Sequence, residues 1–122
     1  MPAISASGKI LITGANGFIG HWLIRLLLEG GYSVRAAVRS ADKGEAILKT
    51  FSIKLPERSK DVEYVVVPDF ATENAYDDAV RGVGGIVHIA STVSRPVPDP
   101  QMIIRPAVDA TVGLLRSAVA HG

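Results

Sequence analysis

A single turn near the N-terminus, between an apolar stretch and an amphipathic stretch, constrains the fold of this chain most. Residues 13–20 read Thr-Gly-Ala-Asn-Gly-Phe-Ile-Gly. The apolar residues before the turn predict a buried strand, Lys9–Thr13, and the pattern after it predicts a helix, Phe18–Glu29. A strand, a glycine turn and a helix in this order place a phosphate at a helix N-terminus. The turn therefore predicts a dinucleotide-binding site, and the alternative is a tight connection with a packing glycine.

The three glycines of this turn are spaced G-x-x-G-x-x-G, and each has a physical role. Gly14 can adopt the positive φ that the chain needs as it leaves the strand. Gly17 has no Cβ, so a diphosphate can approach the backbone N–H groups at the helix start, and Gly20 lets the helix pack close to the sheet. Asn16 can hold the turn by bonding to its own backbone.

The composition is that of one small α/β domain. The chain has 122 residues, of which 48% are hydrophobic, and a mean hydropathy of +0.27, which fits parallel strands buried on both faces. A net charge of +1 indicates no polyanionic partner, and the lack of cysteine excludes disulfides and thiolate metal sites. The N-terminal residues contain no signal peptide, and no stretch approaches the roughly 20 apolar residues that span a bilayer. The cytosol is therefore the expected location.

The rest of the chain alternates between strand and helix patterns. This βαβαβαβα order predicts an α/β fold with a doubly wound parallel sheet of strand order 3-2-1-4. Ligands of such sheets bind over the carboxyl ends, here between strands one and four. The further predicted elements are a strand at 32–38, a helix at 41–51 capped by Ser40, a charged loop at 55–61, a strand at 62–67, a short polar helix at 72–81, a strand at 86–90, and a last helix that begins at Met102 or Pro106 and ends at His121.

The end of the second predicted strand indicates which dinucleotide is bound. In this architecture an acid about 20 residues after the glycines holds the ribose 2′-hydroxyl of NAD, whereas an arginine there suits the 2′-phosphate of NADP. Arg39 stands at this position, and its planar guanidinium matches a phosphate. Ser40 adds a hydroxyl, and Lys43 follows on the next helix. These residues favour NADP(H) over NAD; the alternatives are a solvated basic helix start and an Asp42 that reaches a ribose instead.

These motifs resemble those of the extended short-chain dehydrogenase/reductases of the NAD-dependent epimerase/dehydratase superfamily. The chain is similar in particular to fungal NADPH-dependent aldehyde and ketone reductases and to dihydroflavonol reductases. The resemblance covers nearly the whole chain. It rests on residues 13–20, 34–40, 68–70, 88–91 and 105–111, with Ala110 where the family usually has glycine.

The resemblance implies further contacts to the cofactor. Asp69 would bond the adenine amino group, the backbone N–H of Phe70 would meet the ring, and the motif at residues 88–91 would line the inner ribose. From the residues alone, Asp69 is alternatively an acid at a helix start, and His88 is a core histidine rather than a catalyst. The predicted cofactor-binding residues are Gly14, Asn16, Gly17, Phe18, Ile19, Gly20, Arg39, Ser40, Lys43, Asp69, Phe70, Ile89, Ala90, Ser91 and Thr92.

The catalytic residues that the resemblance implies are missing from this sequence. The family reduces carbonyls by hydride transfer; a Tyr gives the proton, and a Lys four residues later lowers the pKa of that Tyr. A Ser further upstream orients the carbonyl, and the sequence stops before the part of the family that carries these three residues. None of Tyr32, Tyr64 and Tyr76 has a lysine four residues later. We therefore expect residues 1–122 to be an incomplete NAD(P)-binding Rossmann domain, truncated before the catalytic and substrate-binding part and inactive alone.

Two other functions are alternatives: a non-catalytic NADP-binding module or redox sensor, and a structural α/β domain with a vestigial site. The expected ligand is a dinucleotide, with a small carbonyl substrate only in a full-length parent, and neither nucleic acid nor membrane is an expected partner. The fourth strand would be an exposed apolar edge, and the last helix is apolar on several sides. Self-association through this edge or this helix is therefore expected.

Overall fold

The computed structural model describes residues 8–14, 18–69, 74–89 and 101–121, with the side chains of the last segment described at 108, 109 and 111–120. The elements in chain order are β1 (Lys9–Thr13), α1 (Phe18–Glu29), β2 (Ser33–Val38), α2 (Ala41–Lys54), a 3₁₀ helix (Pro56–Asp61), β3 (Val62–Val66), β4 (Gly85–His88) and α3 (Gln101–His121). The strands form one sheet in the order β3-β2-β1-β4, and all of the strand pairs are parallel. The predicted fold class and strand order are confirmed.

β1 lies in the middle of the sheet. It pairs with β2 on one side, where Thr13 is opposite Ala37, and with β4 on the other, where Thr13 is opposite His88. Because all four strands run in one direction, their carboxyl ends meet at one edge of the sheet. The end of β1 therefore lies between the ends of β2 and β4, at the edge where the sequence predicts that the ligand binds.

One face of the sheet is covered by α1 and α2. Successive side chains of a strand point to opposite faces, so alternate residues of β1 and β2 pack under these helices. Burial of their apolar surface stabilises this layer by about 25 cal/mol for each Å² that leaves water. The buried residues of this layer are Ile10, Ile12, Ile24, Leu28, Val34, Ala36, Val38, Ile47, Phe51 and Val62.

The opposite face is covered by residues 74–83 and by α3. The side chain of Arg35 on β2 holds the first of these segments, because its Nη1 donates hydrogen bonds to the carbonyl oxygens of Ala79 at 2.7 Å and Arg81 at 2.6 Å. The hydroxyl of Ser117 on α3 donates to Oδ1 of Asp77 at 2.6 Å. The buried residues of this second layer are Leu11, Ala37, Val67, Tyr76, Ala79, Val80 and Leu114.

The prediction of a short polar helix at 72–81 is wrong for its described part. Residues 74–82 form a series of turns, with positive φ at Asn74 (62°) and Gly82 (76°). Ala79 and Val80 are buried as predicted, but the sequence pattern did not indicate that Tyr76 is fully buried. The core contacts of this ring and the carbonyl bonds to Arg35 set the local conformation, which local helix propensity does not capture.

Several element ends also differ from their predicted positions. α2 continues to Lys54, and residues 56–61 form a 3₁₀ helix rather than an irregular loop. β4 ends at His88 instead of residue 90. α3 begins at Gln101, so Pro106 lies inside the helix and does not start it.

Candidate functional site

The candidate site lies at the carboxyl edge of the sheet, where β1 ends in Thr13 and the chain turns at Gly14. Thr13 is fully buried. Gly14 has a φ of 73°, a left-handed conformation that favours glycine over any residue with a Cβ. Gly14 thus has the conformation that the sequence predicted for the strand exit. Asn16 and Gly17, which were predicted to continue the site, lie outside the described residues.

The first turn of α1 follows at this edge. Phe18 and Ile19 are 80% and 67% exposed, whereas Gly20 is buried, as its predicted packing role requires. The first N–H groups of a helix have no carbonyl partner within the helix, and the first turn of α1 contains no acidic side chain. This end of α1 therefore has the electrostatic character that favours an anion.

Thr13 also joins the end of β1 to β4. Its Oγ1 accepts a hydrogen bond from the N–H of Ile89 at 3.1 Å and lies 2.7 Å from Nδ1 of His88. Nε2 of the same imidazole lies 3.2 Å from Oγ1 of Thr111 on α3. Burial lowers the pKa of His88, which favours the neutral imidazole at neutral pH. These contacts fit the interpretation of His88 as a hydrogen-bonded core histidine.

The residues predicted to favour NADP(H) over NAD lie at and just after the end of β2. Arg39 and Lys43 are exposed, and Ser40 is half-buried. Burial raises the pKa of Tyr76 to about 12, and the positive charge of Arg39 opposes this rise, so the guanidinium lies within electrostatic range of the phenol. Ser40 has the extended backbone of an N-cap residue, but its side chain makes no capping hydrogen bond, so the predicted side-chain cap is wrong.

Asp42 of α2 acts electrostatically on β3. Oη of Tyr64 donates a hydrogen bond to Oε1 of Glu45 at 3.0 Å. This bond is the main cause of the raised pKa of Tyr64, with smaller contributions from desolvation and from the negative charges of Glu45 and Asp42. The carboxylate of Asp42 is therefore close enough to the β3 side of α2 to influence a phenol there.

Asp69 and Ile89 follow β3 and β4 at the same edge. The N–H of Val67 bonds to the carbonyl oxygen of Val38 at 2.7 Å, so the chain runs beside the end of β2 just before the exposed Asp69. The structure thus brings the described predicted residues of all four strand ends to one edge. The remaining predicted residues, Phe70, Ala90, Ser91 and Thr92, lie outside the described part of the chain.

Sequence reasoning missed the hydrogen bonds that His88 makes with Thr13 and Thr111. The only local signals were that Thr13 immediately precedes the first glycine and that Thr111 falls within a segment similar to the start of a long helix. Neither pattern indicates that the two hydroxyls meet one imidazole.

The strand order, the parallel pairing and the glycine turn after β1 together define a Rossmann-type α/β fold. Residues 10–122 match the model of the NAD-dependent epimerase/dehydratase family. The chain belongs to this family, which confirms the resemblance found in its motifs.

The relatives and structural neighbours include several reductases. Aldehyde reductase 2 of Sporidiobolus salmonicolor is 40% identical over 111 residues, which cover 91% of this chain and 31% of the relative. Fatty acid hydroxylase uhd1 of Mycosarcoma maydis is 36% identical over 121 residues, which cover 99% of this chain and 38% of the relative. The crystal structure of Gre2 from Candida albicans in complex with NADPH matches with a TM-score of 0.82 at 30% identity, over 93% of this chain and 33% of Gre2. Dihydroflavonol 4-reductases of Arabidopsis thaliana and Zea mays are also similar.

The chain spans only about a third of the length of the curated relatives it matches, between 31% and 38% for three of them. Within the described part of the chain, no helix has the length and apolar character needed to cross a membrane.

Proposed function

We propose that this chain is the NADP(H)-binding portion of an oxidoreductase that reduces aldehyde or ketone carbonyls by hydride transfer. The observation that carries the proposal is the carboxyl edge of the sheet, with Gly14 at positive φ, the exposed start of α1, and Arg39 at the end of β2. Family membership and the reductases among the relatives support the reaction class.

The start of α1 would hold the diphosphate. Its N–H groups have no partner within the helix, and no acid in the first turn repels an anion. Gly14 turns the chain away from β1, and the buried Gly20 lets the helix lie close to the sheet. In this proposal Asn16, Gly17, Phe18 and Ile19 would contact the diphosphate.

Arg39 would recognise the 2′-phosphate of NADP(H), with Ser40 and Lys43 beside it. Arg39 follows β2 directly, at the position where an acid would favour NAD, and its exposed guanidinium can meet a phosphate with two parallel hydrogen bonds.

The other predicted contacts complete the cofactor site. Asp69 follows β3 at the same edge and would bond the adenine amino group, and the backbone N–H of Phe70 would meet the ring. Ile89, Ala90, Ser91 and Thr92 follow β4 and would line the inner ribose. Bound NADPH supplies the hydride, while the residues of this chain bind and orient the dinucleotide. The sequence contains no Tyr-x-x-x-Lys, so we expect this chain alone to oxidise no NADPH with an aldehyde or ketone.

The decisive experiment titrates the chain with NADPH and with NADH by calorimetry, in wild type and in Arg39→Gln. We expect wild type to prefer NADPH. Because a charge-assisted bond to phosphate contributes more than a neutral one, Arg39→Gln should weaken NADPH binding by roughly tenfold to a hundredfold and leave NADH binding nearly unchanged.

The matched control is Arg81→Gln. Arg81 is also an exposed arginine, paired with Asp78 at 3.5 Å, but it precedes β4 at the amino edge of the sheet. The Arg81→Gln variant should bind NADPH and NADH with wild-type affinity. Equal wild-type affinity for NADPH and NADH, or equal weakening of both in Arg39→Gln, would contradict the assignment of Arg39. Absence of binding to either cofactor would contradict the proposed function itself.

We also propose that the chain self-associates. Among the described residues β4 pairs with β1 alone, and its residues are only half-buried. α3 exposes an apolar stripe at helical spacing, in which Val108 and Val112 are followed by Leu115 and Val119. An open strand edge and an exposed apolar stripe both favour association with another chain.

A further inference from the structure

We propose that His88 is a positioning residue for the cofactor site, held as the Nε2–H tautomer between Thr13 and Thr111, and that it couples α3 to the carboxyl ends of β1 and β4. The inference rests on the proposed function, because it concerns the edge where the dinucleotide would bind. It adds a contribution from α3, an element to which the proposed site assigns no residue.

The geometry places the imidazole at the junction of three elements. Thr13 and His88 are the last residues of β1 and β4 and lie directly opposite each other in the sheet. Nδ1 of His88 lies 2.7 Å from Oγ1 of Thr13, and Nε2 lies 3.2 Å from Oγ1 of Thr111. The ring therefore bridges the ends of both strands to α3, next to the residue that precedes Gly14.

Thr13 has a second link across the same junction. The N–H of Ile89 approaches its carbonyl oxygen at 3.3 Å and its Oγ1 at 3.1 Å. A hydroxyl that accepts a hydrogen bond from an N–H still has its own proton to donate. The hydroxyl of Thr13 can therefore donate to Nδ1 of His88 while it accepts from the N–H of Ile89.

The proposed tautomer assigns a direction to each bond. The hydroxyl of Thr13 donates to Nδ1 across the 2.7 Å contact, and the imidazole N–H donates from Nε2 to Oγ1 of Thr111 across the 3.2 Å contact. Burial lowers the pKa of His88, which supports a neutral ring with a single N–H.

This arrangement controls the strand ends rather than the formation of the sheet. β1 pairs with β4 over Ile10–Thr13 and Gly85–His88. This pairing is made by the backbone and does not depend on the imidazole. The imidazole acts where this ladder stops, so it holds together the ends of β1 and β4, next to Gly14 and Ile89. The sheet and its helices are therefore expected to form without the imidazole. The distance between the carboxyl ends of β1 and β4 would then no longer be fixed.

Three variants at position 88 separate the two bonds. His88→Phe keeps an aromatic ring and removes both bonds. The amide of Asn can replace Nδ1 towards Thr13, whereas the longer Gln can replace Nε2 towards Thr111. We expect NADPH affinity to fall roughly tenfold in His88→Phe and about threefold in each amide variant, because each lost bond weakens the constraint separately. Thermal unfolding is measured alongside to verify that each variant is folded.

Substitutions on α3 test the coupling directly. Thr111→Val should lower NADPH affinity about threefold, and Thr111→Ser should restore it. Thr50→Val is the matched control, because Thr50 bonds its hydroxyl to the carbonyl oxygen of Ala46 within α2 at 2.9 Å, and it should bind as wild type. Wild-type affinity in both Thr111→Val and His88→Phe would overturn the positioning role.

Nitrogen-15 NMR of the imidazole gives a readout that needs no cofactor. We expect an unprotonated Nδ1 and a protonated Nε2 in the wild-type chain, and a mixture of tautomers in Thr13→Val. A ring protonated on Nδ1 in wild type would refute the inference, whether or not NADPH binds. If wild type binds no NADPH but shows the expected tautomer, the proposed function fails, while the hydrogen-bonded junction remains supported.

Discussion

Gly44→Ala in α2 is expected to destabilise the fold, because the ring of Tyr64 occupies the position that the added Cβ would take. A Cβ built on Gly44 lies 2.6 Å from Cε2 of Tyr64 and closer still to two other ring carbons, whereas real Cβ atoms essentially never come within 3.0 Å of a neighbour. Gly44 is buried, and the ring is held by the hydrogen bond of Tyr64 to Glu45 at 3.0 Å. The substitution Gly44→Ala must therefore displace the ring and strain this bond.

Opposing contributions set the magnitude of the effect. Ala is more favourable than Gly in a helix interior by about 1 kcal/mol. Forcing a methyl group into a packed site costs about 1–3 kcal/mol, and losing the Tyr64 hydrogen bond costs about 0.5 kcal/mol more. We therefore expect Gly44→Ala to lower the free energy of unfolding by about 0.5–2.5 kcal/mol.

Urea denaturation followed by circular dichroism measures the change, and two comparisons isolate its cause. In a Tyr64→Ala background the added methyl meets no ring, so Gly44→Ala should stabilise the chain by about 1 kcal/mol. Gly113→Ala in α3, where a Cβ meets nothing within 4 Å, should also stabilise it. If Gly44→Ala stabilises the chain while Tyr64 is present, the packing argument is refuted.

Two further predictions concern acid stability and self-association. Burial raises the pKa of Glu63, but hydrogen bonds and charges from Lys9 and Arg35 outweigh it and hold the pKa below its usual 4.5. This carboxylate therefore stabilises the fold above pH 4.5, and its contribution is lost as the pH falls through the lowered pKa. Glu63→Gln should make the free energy of unfolding less dependent on pH in that acid range, as measured by urea denaturation; an unchanged slope would contradict this. Leu115 on α3 is 62% exposed, and Leu115→Glu should lower the mass measured by light scattering at high concentration; a wild-type chain that is already monomeric would exclude this surface.

Local patterns were sufficient to predict the strand order of the sheet and, except at 72–81, the order of the described strands and α-helices. β1 and α1 have the predicted ends, because their apolar patterns stop at glycine-containing turns. The same reasoning failed at 72–81, where small apolar residues at helical spacing indicated a helix. There the burial of Tyr76 and the bonds from Arg35 determine a series of turns, and both depend on contacts with other elements.

The candidate site was predictable to the extent that topology determines it. Gly14, Arg39 and Asp69 each follow a strand, and the carboxyl ends of parallel strands meet at one edge. The contacts within that edge were not predictable, because Thr13 and His88 are 75 residues apart, and the bond from His88 to Thr111 spans a further 23. That these residues bind NADP(H) stays a prediction from the sequence, since it depends on the role of Arg39.

The central position of β1 has a consequence for solvent exchange. Leu11 and Ile12 are fully buried and lie on a strand that is paired on both sides, so their amide protons should exchange with deuterium only in the largest openings of the sheet. β3 and β4 each have a single neighbour among the described strands and can open sooner. Gly14 follows β1 directly and is therefore attached to the strand whose amide protons should exchange most slowly.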